Sequence, residues 1–227
     1  MISLKQAMGL NSGNRNWSPI SESSLEAWYQ NAVGITLNGS DVSQWSDSSS
    51  NSYDMIQNTA TEQPAYSGGV LTFASADINN LQTADNPATQ ISLTGDFTIG
   101  AKLHITTSGG VLLGDNNANG EFIRFTSDTN LRVRIANTSA VNIIKDSGTF
   151  SEDAYMVLTR SSDVLTLYWK GVAQSDTETK SGTSLIDAIG VQRIDSNGFD
   201  GTIKEIQIYS SSSSGLTDNI NKRLETL

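Results

Sequence analysis

The sequence predicts an all-β fold, a sandwich of two antiparallel sheets, and three observations lead there. Short apolar stretches alternate with polar residues at period two, and clusters of Gly, Asn, Asp and Ser separate them about every ten residues. Text with a helical period is nearly absent. Only 17% of the residues are charged, so the polarity comes from Ser, Thr, Asn and Gln, which suit sheet faces and turns better than helix surfaces. At 227 residues the chain is long enough to bury about 70% of its extended surface in one large domain.

Taken in order, residues 1–20 are polar, carry Gly13 and Pro19 and show no sustained period, so they read as an extended N-terminal arm. Such an end frays unless it lies on its own domain or on a partner. Residues 22–30 carry a weak helix signal of one or two turns. Residues 97–105 alternate, with Ile99, Ala101, Leu103 and Ile105 inward and Lys102 and His104 outward. Residues 122–125, the turn text 126–130 and the strict alternation Leu131-Arg132-Val133-Arg134-Ile135 read as an antiparallel hairpin. A second hairpin joins 156–160 to 164–169, and 203–209 is a further strand. The serine run 210–214, closed by Gly215, reads as a flexible joint. A short helix follows, with Thr217 or Asp218 as its cap and Ile220 and Leu224 at helical spacing. The expected organisation is an arm over 1–20, a domain over 21–209 and a joint with a helical tail over 210–227.

Charge and composition exclude several function classes. Twenty-four acidic against fourteen basic residues give a net charge of −10. A field of that sign repels phosphate backbones and anionic lipid, so neither nucleic acid nor a membrane is an expected partner. The absence of cysteine removes disulfides, thiolate metal sites and cysteine nucleophiles. No apolar run approaches membrane-spanning length, and the N-terminal residues lack the apolar core of a secretory signal, so general secretion is not expected.

Three groups of residues are candidate sites. If Ile123, Phe125, Leu131, Val133 and Ile135 face the core, cross-strand pairing gathers Arg124, Arg132 and Arg134 on the opposite face. The plainer account is a solvated sheet face with weak ion pairs. The sharper one is an interface, because guanidinium forks suit carboxylates on a neighbouring acidic subunit. Trp17, in the arm near Pro19, is the tryptophan expected to anchor an assembly contact. Asp115, Asn117 and Asn119 satisfy the first half of a calcium loop, D-x-[DN]-x-[DN]-G, but its twelfth position is Thr126 and strands flank it. Ordinary turn chemistry competes with calcium there, and no other cofactor is expected.

Catalytic signals are weak. His104 is the sole histidine, so no zinc site or Ser-His-Asp arrangement is legible. The nearest pair of acids, Asp176 and Glu178, falls in loop-like text beside Gly171 and Lys180.

Several segments together carry a family resemblance. They are Ser24-Leu25-Glu26-Ala27-Trp28-Tyr29, Val42-Ser43-Gln44-Trp45-Ser46-Asp47, Gln63-Pro64-Ala65-Tyr66 with Val70-Leu71-Thr72-Phe73, Leu158-Thr159-Arg160 with Leu165-Thr166-Leu167-Tyr168-Trp169-Lys170-Gly171, and Phe199-Asp200-Gly201 through Tyr209. In that order they resemble the concanavalin A-like lectin/glucanase superfamily in its laminin-G-like or pentraxin-like branch. The resemblance implies a jelly roll, packed positions for Trp28 and Trp45, and a structural role for Glu205. The glucanase pattern E-x-D-x-x-E is missing, so an enzyme is not expected. With its polar arm the chain also resembles virion structural proteins of tailed bacteriophages. The expectation is therefore a non-enzymatic virion protein, a decoration or connector bound to other virion proteins and to copies of itself. A lectin-like module for host-surface glycans is the alternative.

Overall fold

The computed structural model describes residues 17–83, 90–115, 120–136, 138–192 and 196–227. Among them the first strands are β1 (Leu25–Tyr29), β2 (Ile35–Asn38), β3 (Asp41–Trp45), β4 (Met55–Ile56), β5 (Ala65–Ser67) and β6 (Val70–Phe73). The middle six are β7 (Leu81–Thr83), β8 (Ile91–Leu93), β9 (Phe97–Thr107), β10 (Val111–Asp115), β11 (Glu121–Ser127) and β12 (Asn130–Val133). The last are β13 (Val141–Ile144), β14 (Asp153–Ser161), β15 (Val164–Trp169), β16 (Val172–Thr179), β17 (Ser184–Ile189) and β18 (Asp200–Tyr209), before helix α1 (Ser214–Glu225).

One layer runs β16–β15–β14–β9–β18–β1, antiparallel throughout. The other runs β13–β12–β11–β10–β17, continues through β7 to β4, and ends with β3 and β2, again antiparallel. β6 pairs with β18 and β5 with both β6 and β3, so the two layers are one network folded over on itself, the jelly roll.

Side-chain alternation sorts the core. On β9, Ile99, Ala101, Leu103 and Ile105 are buried, whereas Lys102 and His104 are half-buried on the other side. Phe122, Ile123, Phe125, Leu131 and Val133 close on them from the second layer, and the Phe97 and Phe122 rings meet edge to face at 5.8 Å. Each such side chain contributes roughly 1.5–3 kcal/mol by leaving water.

A second apolar cluster lies outside the sandwich. Helix α1 lays Leu216, Ile220 and Leu224 over Val157 and Tyr209 on the outer side of the first layer. Gly100 makes this close approach possible, because a Cβ there would stand 2.4 Å from Ile220 Cγ2.

Several local expectations need correction. The helix cap is Ser213, whose hydroxyl accepts the Leu216 N–H at 3.1 Å; Thr217 and Asp218 already lie inside the helix. The serine run is tied down: Ser210 N–H donates to the Ser24 carbonyl, Ser211 Oγ to Ser24 Oγ, and Thr98 Oγ1 to the Ser211 carbonyl. Residues 22–30 hold strand β1 instead of a helix, and Asp176 and Glu178 belong to strand β16. Of the arm, residues 1–16 lie outside the described residues.

Candidate functional site

The hairpin of β11 and β12 does place three arginines on one face. Arg124 stands directly across from Arg132, and Arg134 extends the ladder by donating its N–H to the Phe122 carbonyl. They converge on a glutamate that strict alternation would turn inward. Glu121 shares the parity of Ile123 and Phe125, yet the register slips between Leu113 and Gly114, so that Ile123 and Phe122 both enter the core. The irregularity returns Glu121 to the outer side, opposite Gly114.

Around Glu121, whose side chain is only 2% exposed, Arg132 Nη2 donates to Oε2 at 2.8 Å and Arg134 Nε to Oε1 at 3.0 Å. Arg124 Nη1 reaches Oε2 at 3.4 Å, while its Nε and Nη2 donate to the Gly109 carbonyl and Asn197 Oδ1. Burial pushes the Glu121 carboxyl up, but the hydrogen bonds from Arg132 and Arg134 outweigh it and hold it below the ordinary glutamate range. The carboxylate is therefore an ionised counter-ion beneath three cations.

Not all of the guanidinium donors are committed. Arg134 Nη1 donates to the Thr138 carbonyl, but among the described residues Arg134 Nη2 and Arg132 Nη1 have no hydrogen-bond partner. Arg132 Nε is buried and unpartnered as well. The side chains of Arg124, Arg132 and Arg134 remain 20%, 27% and 20% exposed.

A single cross-strand row on this face joins Gln44, Ile56, Gln82, Ala188, Gly114 and Glu121. Six strands at about 4.8 Å spacing set its ends roughly 24 Å apart. The middle is closed, since the Val191 carbonyl lies 2.7 Å from where a Gly114 Cβ would stand. Beyond it a polar cleft opens between Ile56, Gln57, Asn58, Glu62 and Gln82. Its amides are fixed: Gln57 Nε2 donates to Asn80 Oδ1 at 2.9 Å and to Glu62 Oε2 at 3.2 Å. Neither Glu121 nor this cleft was legible in the sequence. The excess of arginine on one hairpin face, which demands a counter-charge, is the one signal pointing to Glu121.

The other expected site residues fall elsewhere. Trp17 is half-buried on its own domain beside the α1 cluster, its Nε1 donating to Glu22 Oε1 at 2.6 Å. Asp115 closes β10 and is buried, with Oδ2 accepting the Leu185 N–H at 3.0 Å. Asn117 and Asn119 lie outside the described residues. Among the described residues no three acidic or histidine side chains are gathered to hold a metal ion. His104 Nδ1 stands 3.2 Å from Asp153 Oδ1 on the first layer, away from the arginines. Trp28, Trp45 and Trp169 are all buried. Glu205, fully buried, accepts the Asn31 N–H and is clasped by the Arg223 guanidinium, which stacks on Trp28 at 4.9 Å.

Comparison with known proteins fixes the lineage. Residues 75–215 match a laminin-G-type family model of the concanavalin A-like lectin/glucanases superfamily. No curated protein matches significantly. Among solved structures, the binding domain of Paraclostridial Mosquitocidal Protein 1 is similar with a TM-score of 0.55 at 14% identity, covering 89% of this chain and 52% of that one. A Trypanosoma rangeli sialidase in complex with the inhibitor DANA gives 0.59 at 13% identity, covering 90% and 33%. An arabinofuranosidase complexed with arabinofuranosyl-alpha-1,2-xylobiose gives 0.57 at 13%, covering 81% and 50%. This chain thus spans about half the length of the first and a third of the second. At such identities these structures share the fold alone. With the family model matching well over half of its length, the chain belongs to the concanavalin A-like lectin/glucanase superfamily.

Proposed function

We propose that this chain is a lectin-like, carbohydrate-binding module that acts without catalysis, using the outer face of its second layer. One observation carries the reading: the Glu121 carboxylate on that face is a counter-ion for three arginines. Glu121 is ionised and hydrogen-bonded through both oxygens, so it has no proton to give a leaving group and its charge is spent on the arginines, whereas glycoside hydrolysis needs a pair of carboxyls as acid and as base or nucleophile. What the face offers is fixed donors and amides, the chemistry that recognises sugar hydroxyls. The family, and the carbohydrate-active and binding proteins that share the fold, support the same reading. Probed on a glycan array, the full chain should retain specific oligosaccharides and release no reducing sugar from them. Hydrolysis of a bound glycan would overturn the non-catalytic part, and retention of none would overturn the whole.

A second reading, an assembly protein of a phage particle, has one observation in its favour. Ile20, three residues after Trp17, is 68% exposed, an apolar side chain where the N-terminal segment meets the domain. Loss of particle incorporation after deletion of residues 1–20, with no glycan bound by the full chain, would favour that reading over the first.

A further inference from the structure

We propose that the ligand of this face is an acidic glycan, and that Arg132 and Arg134, backed by Arg124, seat its carboxylate or sulfate; this rests on the lectin-like reading above. Charge is the first ground. Three guanidinium groups over one carboxylate leave an excess of two positive charges in a protein whose net charge is −10. Charges elsewhere on the surface are screened beyond about 8 Å at physiological salt, so the local excess decides what binds there.

Geometry is the second ground. Arg132 Nη1 and Arg134 Nη2 are uncommitted among the described residues, and each such nitrogen carries two N–H groups. Arg132 and Arg134 grip opposite oxygens of the same carboxylate, which fixes the two forks side by side and removes much of the ordering cost of binding. Planar forks held this way favour a group with two or three acceptor oxygens.

The surroundings separate a glycan from a protein partner. The residues that flank the arginines, Thr138, Asn142, Asn197 and Gly109, are polar or bare backbone. Protein interfaces centre on clusters of buried aromatic or aliphatic anchors, whereas among the described residues the neighbouring strand β13 offers one exposed aliphatic side chain, Ile144, two residues from Asn142. A long polyanion would meet repulsion from the acidic remainder, whereas a sugar with one charge among many hydroxyls would not.

The test is an array of matched pairs, sialyllactose against lactose and sulfated against plain N-acetyllactosamine, with an acidic peptide as a further probe. The full chain is compared with Arg132→Gln plus Arg134→Gln and with Arg132→Lys, each checked for an unchanged circular dichroism spectrum. The acidic member of at least one pair should bind about tenfold more tightly than its neutral partner, the equivalent of about 1.4 kcal/mol. The double variant should lose that preference, and Arg132→Lys, which keeps the charge without the fork, should lose part of it. Whichever pair responds tells carboxylate from sulfate. Equal binding of charged and neutral members, unaffected by the substitutions, would overturn the anionic seat and leave the lectin-like reading standing. Binding of no sugar at all would overturn both, and arginine-dependent binding of the peptide alone would assign the face to a protein partner.

Discussion

At Glu205 one guanidinium meets one buried carboxylate; at Glu121 three guanidinium groups meet one. The first centre is balanced and closed. Arg223 clasps Glu205, Gln207 Nε2 and the Asn31 N–H add two more donors, and the Trp28 ring covers the cation. Because Arg223 sits in the last turn of α1, this pair ties the helix to β18. The second centre is unbalanced and open, with donors left over on the outer face of a hairpin. Charge stoichiometry and uncommitted donors, more than the presence of an ion pair, separate a structural tie from a binding surface.

The sharpest way to break this contrast is to remove one arginine from each centre. Arg223→Ala strands the carboxylate of Glu205, which is wholly buried, and should cost about 3–5 kcal/mol in denaturant unfolding. A loss under 1 kcal/mol would mean that water reaches Glu205 and that the tie is ornamental.

Next in size is Glu121→Gln, which leaves three cations around a neutral amide and should cost about 1–3 kcal/mol near neutral pH. The acid limb sharpens it. The folded Glu121 carboxyl titrates below its ordinary value of 4.5, so its stabilisation is complete above that value and fades as pH falls through the folded pKa. The wild type should therefore lose stability more steeply than Glu121→Gln below about pH 4.5, and parallel acid limbs would contradict the ionised counter-ion.

Arg132→Ala should have the smallest effect on folding, within about 1 kcal/mol, because Glu121 keeps two other guanidinium partners and Arg132 is partly solvated. A cost as large as that of Arg223→Ala would make the cluster a structural device like its counterpart.

The same contrast shows what sequence reasoning reached. Period-two text gave both hairpins, the inward residues of β9 and the shared face of Arg124, Arg132 and Arg134, because alternation is a strong local signal. Glu121 escaped because one slipped register reverses the parity of every residue before it, and no single residue announces a bulge. The segment 22–30 misled because Leu25, Trp28 and Tyr29 sit at helical spacing, while pairing with β18 makes it a strand. Ser213 was hidden inside a serine run in which several hydroxyls could equally cap a helix. The cleft at Gln57 and Gln82 depends on β4 and β7 meeting across the fold, which amides scattered along the chain do not foretell.

The most direct measurement is the melting temperature of the wild type and of Arg132→Gln plus Arg134→Gln in rising sodium sulfate, with sodium chloride at matched ionic strength. Sulfate stabilises folded proteins generally, so the quantity of interest is the difference between the two chains. An anion seated on the arginines adds stability to the wild type alone, by mass action. A saturable extra rise in the wild type, absent from the double variant, is the predicted result; identical curves for the two would contradict an anion-binding face at Glu121.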